Sequence, residues 1–278
     1  MITQIIILSI VQGLAELLPI SSSAHVIVAE KLMGLDPSSP DMTLLLVALH
    51  AGTMFAVIVY FWQSWRETYF SSRQSFMNNG LQVGLATVAT GVVGGALFFS
   101  VTYSMRASMP GFEIEDLFGN SRLIAAGLAS AGVLIIVSSL RAPKASTQMS
   151  ARSAIVIGAV QGLCLPLRGF SRSGATISSG LLLGVARRRA EEFSFALAVV
   201  LTPAVTLREG FRFYRAHWQE VQLQGWAHLL GPSLLGMGMS FLAGLVALRC
   251  LSSALEGGYW RLFGVYCMVA AVTVLKFV

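Results

Sequence analysis

The chain has 278 residues, 55% of them hydrophobic and only 12% charged, with a formal net charge of +6 and a mean hydropathy of +0.72. Soluble domains carry about 25% charged residues, so a soluble fold is excluded and an all-α integral membrane protein is expected. No soluble basic domain exists to meet nucleic acid. The excess positive charge therefore serves topology or anionic lipid.

Residues 1–33 form an apolar unit broken at Pro19, followed by a turn at 34–41, GLDPSSPD. There is no Lys or Arg before Lys31, so the positive n-region of a signal sequence is missing. Residues 42–63 are long enough to span a bilayer. They end in aromatic residues Tyr60, Phe61, Trp62 and Trp65, the composition of an interfacial girdle. A loop over 64–79 carries Arg66 and Arg73, and 80–104 is a Gly- and Ala-rich span suited to close helix packing. An acidic loop at 105–121 holds Glu113, Glu115 and Asp116, and 122–140 spans again. Arg141, Lys144 and Arg152 mark the loop at 141–152 as cytoplasmic, with 64–79; the turn at 34–41 and the loop at 105–121 are then outside.

The second half repeats the plan. An apolar segment at 154–167 breaks over 168–176, RGFSRSGAT, and resumes at 177–185 before Arg187, Arg188 and Arg189. Spans are expected at 192–207, kinked at Pro203, at 226–250 and at 259–278. By count the loop at 208–225 is outside, yet Arg208, Arg212 and Arg215 lie in it, against the charge rule. Cys164, Cys250 and Cys267 match no metal or disulfide spacing and read as small core residues.

Val11-Gln12-Gly13-Leu14 recurs letter for letter as Val160-Gln161-Gly162-Leu163. Each copy leads to a hydroxyl cluster, Ser21-Ser22-Ser23 and then Ser171-Arg172-Ser173. Such recurrence in two broken segments points to duplication. With three spans per half, the halves lie in opposite orientations, a plan that places a site near the midplane between discontinuous helices. The expected architecture is a single membrane domain, 1–278, of two inverted-topology repeats, about 1–140 and 153–278. Each has one re-entrant helix hairpin plus three transmembrane helices. This plan brings Glu16 and Arg172 together.

The polar residues at these breaks are costly in hydrocarbon and mark a site. Broken backbone at that depth must be covered by protein or line a wet cavity. Arg172 offers a planar fork that matches phosphate, or it snorkels to an interface. Ser171, Ser173 and Thr176 add hydroxyls, while Gly169 and Gly174 permit tight turns. A helix restarting near Thr176 would aim N–H groups at an anion. Arg168 either assists or marks the interface. In the first stretch His25 can be acid, base or nucleophile. Glu16 can orient it, activate water or bind a divalent cation. Ser22 or a neighbour, Ser21 or Ser23, can be ligand or attacking group, although serines at breaks are often caps. His50 joins the site or packs by a hydrogen bond. His217 and His228 have no role. A transporter or lipid flippase is the rival function, because broken inverted repeats are also a transporter plan.

QGLAELLPISSSAH and SRSGAT resemble the two motifs of the bacterial undecaprenyl-diphosphatase (bacitracin-resistance phosphatase) family, and GFSRSGATISSGLLLGVARRRAEEFSFALAV is similar to its most recognisable block. The likeness runs along nearly the whole chain. It implies a multi-pass protein of the bacterial inner membrane that hydrolyses undecaprenyl diphosphate in a cavity open to the outer side. A divalent cation, magnesium or calcium, assists. It further implies roles for Glu16, Ser22, His25, Ser171, Arg172, Ser173 and Thr176, with the lipid substrate, the bilayer and a second copy in a homodimer as partners. The chain departs from the pattern at Gln12, where the family usually has an acid and sometimes Gln; a neutral amide there can still hold phosphate or water. It departs again at Leu167-Arg168-Gly169, where the family has Pro-Gly.

Overall fold

A computed structural model describes residues 2–35, 40–107, 109, 111–112, 114–117, 120–140, 148–224 and 226–277. Outside them lie most of the turn at 36–39, Glu113, Arg141 and Lys144, and the side chains of Glu115, Asp116, His217 and His228. Among the described residues there are ten α-helices, one 3₁₀ turn (Ile114–Leu117) and no strand. The helices are α1 (Ile2–Leu17), α2 (Ser22–Leu32), α3 (Pro40–Tyr69), α4 (Arg73–Arg106) and α5 (Ser121–Ser139). They continue as α6 (Ala151–Cys164), α7 (Arg172–Leu182), α8 (Arg187–Gln224), α9 (Trp226–Glu256) and α10 (Trp260–Phe277). Stretches of α3, α4, α5, α8 and α9 are long and apolar enough to cross a membrane, and α10 adds 18 mostly apolar residues. The chain is a polytopic membrane protein.

Two expected loops are helical. The chain over 208–224 continues α8, and α3 and α4 together leave only residues 70–72 between them. Charged residues read as loop on composition, but Arg, Glu and Leu are good helix formers, and from Pro203 to Gln224 Gly210 is the lone backbone weak point. The helix also runs through Pro203, which removes one backbone bond without ending it. The aromatic girdle is only partly one. Trp62 is exposed, but Phe61 and Trp65 are buried, and the Trp65 indole donates to the Glu192 carbonyl at 3.3 Å. Of the cysteines, Cys267 is buried but Cys250 is exposed.

Contacts fix the helix directions. Ser240 donates to the Leu49 carbonyl and Tyr60 to Ser252, so α3 and α9 run parallel. α1 runs the same way along α9: a Cβ on Gly13 would come within 2.6 Å of Ala243, and one on Gly244 would lie 3.0 Å from Leu17. Gly158 lies directly on the Ala86 carbonyl, and Gly162 opposes Thr90 and Gly94, so α6 runs parallel to α4. Ser64 and Trp65 meet Glu192 while Leu44 meets Phe213, so α8 opposes α3. Small residues thus let each copy of the repeated motif seat its helix backbone-to-backbone on the other half of the chain.

The two breaks have separate causes. Pro19 pushes the preceding residue out of helical geometry, so α1 ends at Leu17 and α2 starts at Ser22, with Ser21 at φ 69. The second break turns at Gly169, φ +88, where a Cβ would strike the Ile124 carbonyl. α7 then starts at Arg172, earlier than the expected restart near Thr176. Ser171 caps it by accepting from the Gly174 N–H at 3.2 Å. The tips touch: Ser173 donates to the Leu18 carbonyl at 3.3 Å and Cys267 to that of Pro19 at 3.3 Å.

Candidate active site

Between the tips lies a cavity of about 220 Å³. Its polar wall includes Glu16, Ser21, Ser22, Ser23 and His50 from the first half. The second half contributes Arg168, Ser171, Arg172 and Ser173.

Glu16 is the hub. Its Oε1 accepts from Arg172 Nη2 at 2.8 Å, across 156 residues of sequence. Its Oε2 accepts from Ser22 Oγ at 2.6 Å and from Gln12 Nε2 at 3.3 Å, with His50 Nε2 at 3.9 Å. Gln12 sits one helical turn before Glu16 and is 1% exposed, so it supports the carboxylate from behind. The imidazole of His50 donates from Nδ1 to the Leu46 carbonyl at 2.8 Å, which leaves Nε2 facing the acid.

Three expected residues are placed elsewhere. His25 does not reach Glu16. Its Nδ1–H donates to the Ser21 carbonyl at 2.8 Å, so Nε2 is the acceptor, and the Tyr266 hydroxyl fills it at 2.6 Å with the rings stacked. The pair lines a separate groove of about 260 Å³ between α2, α5 and α10. No sequence signal named Tyr266, 241 residues away. Thr176 is fully buried: its hydroxyl donates to the Arg172 carbonyl at 2.8 Å and meets Ser194 at 2.6 Å, tying α7 to α8. Gly174 lies against Pro19, which a Cβ would approach to 3.2 Å. Cys164 lines the cavity; its place three residues after Gln161 was the available clue.

The donor set for a cation is thin. Among the described residues no cluster of three His, Cys, Asp or Glu could hold a metal. Magnesium, however, is commonly held by one or two carboxylates plus substrate phosphates. Glu16, with the Ser22 hydroxyl oxygen beside it, meets that minimum, whereas Gln12 turns its amide nitrogen toward the acid.

An acid, a guanidinium and clustered hydroxyls facing one cavity inside a polytopic membrane fold are the equipment of an enzyme acting on an anionic lipid. Residues 5–273 match the family described as bacitracin resistance protein BacA, and the chain belongs to that family. It is 57% identical over 273 residues to undecaprenyl-diphosphatase 2 of Acinetobacter baylyi, covering 98% of this chain and 96% of the relative. It is 31% identical to the undecaprenyl-diphosphatase of Korarchaeum cryptofilum (99% and 98% covered) and to undecaprenyl-diphosphatase 2 of Burkholderia orbicola (96% and 94%).

Proposed function

We propose that this chain is a membrane phosphatase that hydrolyses undecaprenyl diphosphate to the monophosphate and inorganic phosphate. The observation that carries the site assignment is the contact of Glu16 with Arg172 and Ser22 at the meeting of the two breaks.

In the mechanism we infer, Arg172 leaves Glu16 and takes the terminal phosphate bidentately. Glu16 is then free to accept the Ser22 proton as Ser22 Oγ attacks the terminal phosphorus. The anhydride P–O bond breaks, and its electron pair leaves on the lipid monophosphate. Glu16 passes the Ser22 proton to the departing lipid monophosphate, so it is a carboxylate again when water attacks the phosphoserine. It takes the water's proton and gives it to the Ser22 oxygen as that O–P bond breaks and inorganic phosphate departs. Arg172 and the Ser171 and Ser173 hydroxyls hold the equatorial oxygens, so positioning and electrostatics supply most of the acceleration. A divalent cation, where bound, would be held by Glu16 with phosphate oxygens and would neutralise charge. Ser21, Ser23 and His50 line the pocket as substrate contacts. His25, the other candidate for attack, has its Nε2 engaged by Tyr266 and cedes that role to Ser22.

The same proposal includes the architecture: one membrane domain of two inverted repeats, about 1–140 and 153–278, each with a re-entrant hairpin and three spans. The opposite directions of α1 and α6 support it, as does Gln4 of α1 bonding back to the Met33 carbonyl. It also includes an inner-membrane location with the cavity reached from the outer side. The Arg187–Arg189 cluster at the start of α8 supports cytoplasmic placement of that end.

The deciding experiment is phosphate release from undecaprenyl diphosphate by purified protein in detergent. A pure transporter, the rival class, releases none. For the architecture, cysteines placed at Ser23 and Ser173 in a background without Cys164, Cys250 and Cys267 should crosslink within one chain. No crosslink with both sites open to a small thiol reagent would count against it.

A further inference from the structure

The cavity has a second arginine on its wall. Arg168 lines it with Arg172, in the tip between α6 and α7. Its backbone is held from both sides. Gly169 turns the chain at φ +88, and a Cβ on Gly127 of α5 would lie 2.6 Å from the Arg168 carbonyl. The side chain therefore leaves from a fixed point.

Glu30 of α2 lies within Coulombic reach of Arg168. Glu30 is 3% exposed, and its Oε1 has no hydrogen-bond partner among the described residues. A buried carboxylate with an open oxygen is costly to keep, and a nearby cation offsets that cost. The proposed mechanism uses neither residue.

Charge shows what the pair can do. Arg172 is already matched by Glu16 at 2.8 Å. A diphosphate monoester brings more than one negative charge on two phosphorus centres, so one guanidinium leaves the second phosphate without a cation. We infer that Arg168 forms a second phosphate subsite, holding the lipid-linked phosphate while Arg172 holds the terminal one, and that Glu30 keeps Arg168 in place when the cavity is empty. Arg168 is thus a substrate-binding residue and Glu30 a positioning residue. The inference rests on the phosphatase reading.

The test uses the full chain in detergent, with Arg168→Ala, Arg168→Lys, Glu30→Gln and the Arg168→Ala/Glu30→Gln double variant. Losing a hydrogen bond to a charged group weakens binding by about tenfold or more. Arg168→Ala should raise KM for undecaprenyl diphosphate by that factor, with kcat changed by less than about threefold. Inhibition by undecaprenyl monophosphate and by free pyrophosphate should weaken in parallel. Inhibition by inorganic phosphate, which needs only the Arg172 subsite, should not. Arg168→Lys should recover part of the affinity. Glu30→Gln should lower KM or leave it, and should lose any such effect once Arg168 is gone. If Arg168→Ala misfolds because Glu30 is stranded, the double variant removes that charge and must still show the raised KM. An unchanged KM in folded Arg168→Ala or in the double variant overturns the inference and leaves Arg168 as a structural counterion. If the unmodified chain releases no phosphate, the phosphatase reading fails by itself. The subsite is then judged by direct binding of undecaprenyl diphosphate, which must still weaken in the Arg168 variants.

Discussion

The two breaks are built from one motif and do opposite jobs. Both follow Val-Gln-Gly-Leu, and both end in spaced serines. In the first, Gln12 points along its own helix to Glu16 at 3.3 Å; in the second, Gln161 leaves its helix to bond Thr90 at 3.2 Å. The first delivers an acid from the end of α1, and the chain then passes through a positive-φ serine, Ser21, whose side chain makes no cap bond. The second delivers a guanidinium from a capped helix start. The glycine after each glutamine keeps one role, close approach to the other half. The glycines keep the same packing while the tips differ in charge, and a salt bridge between Glu16 and Arg172 joins them.

The comparison breaks hardest at Arg172. Arg172→Lys keeps the charge but loses the fork, and activity should fall roughly 100-fold or more, the scale of losing a preorganised donor. Near-normal turnover in folded protein would make it an interface anchor. Next comes the acid. Glu16→Gln should lower kcat by about 100-fold while lipid-diphosphate affinity stays or tightens, because a negative charge has left an anion site. Weaker binding with an unchanged maximal rate would reassign Glu16 to positioning or to cation retention.

A smaller effect is expected at His25. With its Nε2 engaged by Tyr266, His25→Ala should cost less than about tenfold in kcat, well below Ser22→Ala; a loss matching Glu16→Gln would restore it as the base or nucleophile. The finest contrast lies between the twin glutamines. Gln12→Ala should lower turnover by several-fold with little change in melting temperature. Gln161→Ala should do the reverse, costing about 1 kcal/mol for a lost buried hydrogen bond, read from a thermal melt against the turnover assay.

Much of this was legible because its causes are local or repeated. Pro19 announces its break, and the recurring motif marks the two broken segments that bring Glu16 to Arg172. What stayed hidden depends on distant partners. Thr176 reads as a ligand until Ser194 is packed against it at 2.6 Å. His25 reads as a nucleophile until Tyr266 is placed. The arginines at 208–215 read as loop because charge is weighed against membrane insertion, yet a helix that outruns its apolar stretch accepts them freely. Glu30 carries no signal by itself; it gains meaning only beside Arg168.

The backbone contact of Gly13 with Ser240 and Ala243 also sets a timetable for synthesis. α1 is made before α9, and the groove it occupies is made by residues some 230 positions later in the chain. At about 5–20 residues per second, the acid-bearing tip waits on the order of 10 to 45 s for its seat. For the first 156 residues of that interval Glu16 has no Arg172, and a polar segment with no bed must be sheltered by the insertion machinery or linger at the bilayer surface. α1 is made well before its seat in α9, so truncation from the C-terminal side before α9 should leave α1 accessible to protease even with α1 to α5 intact.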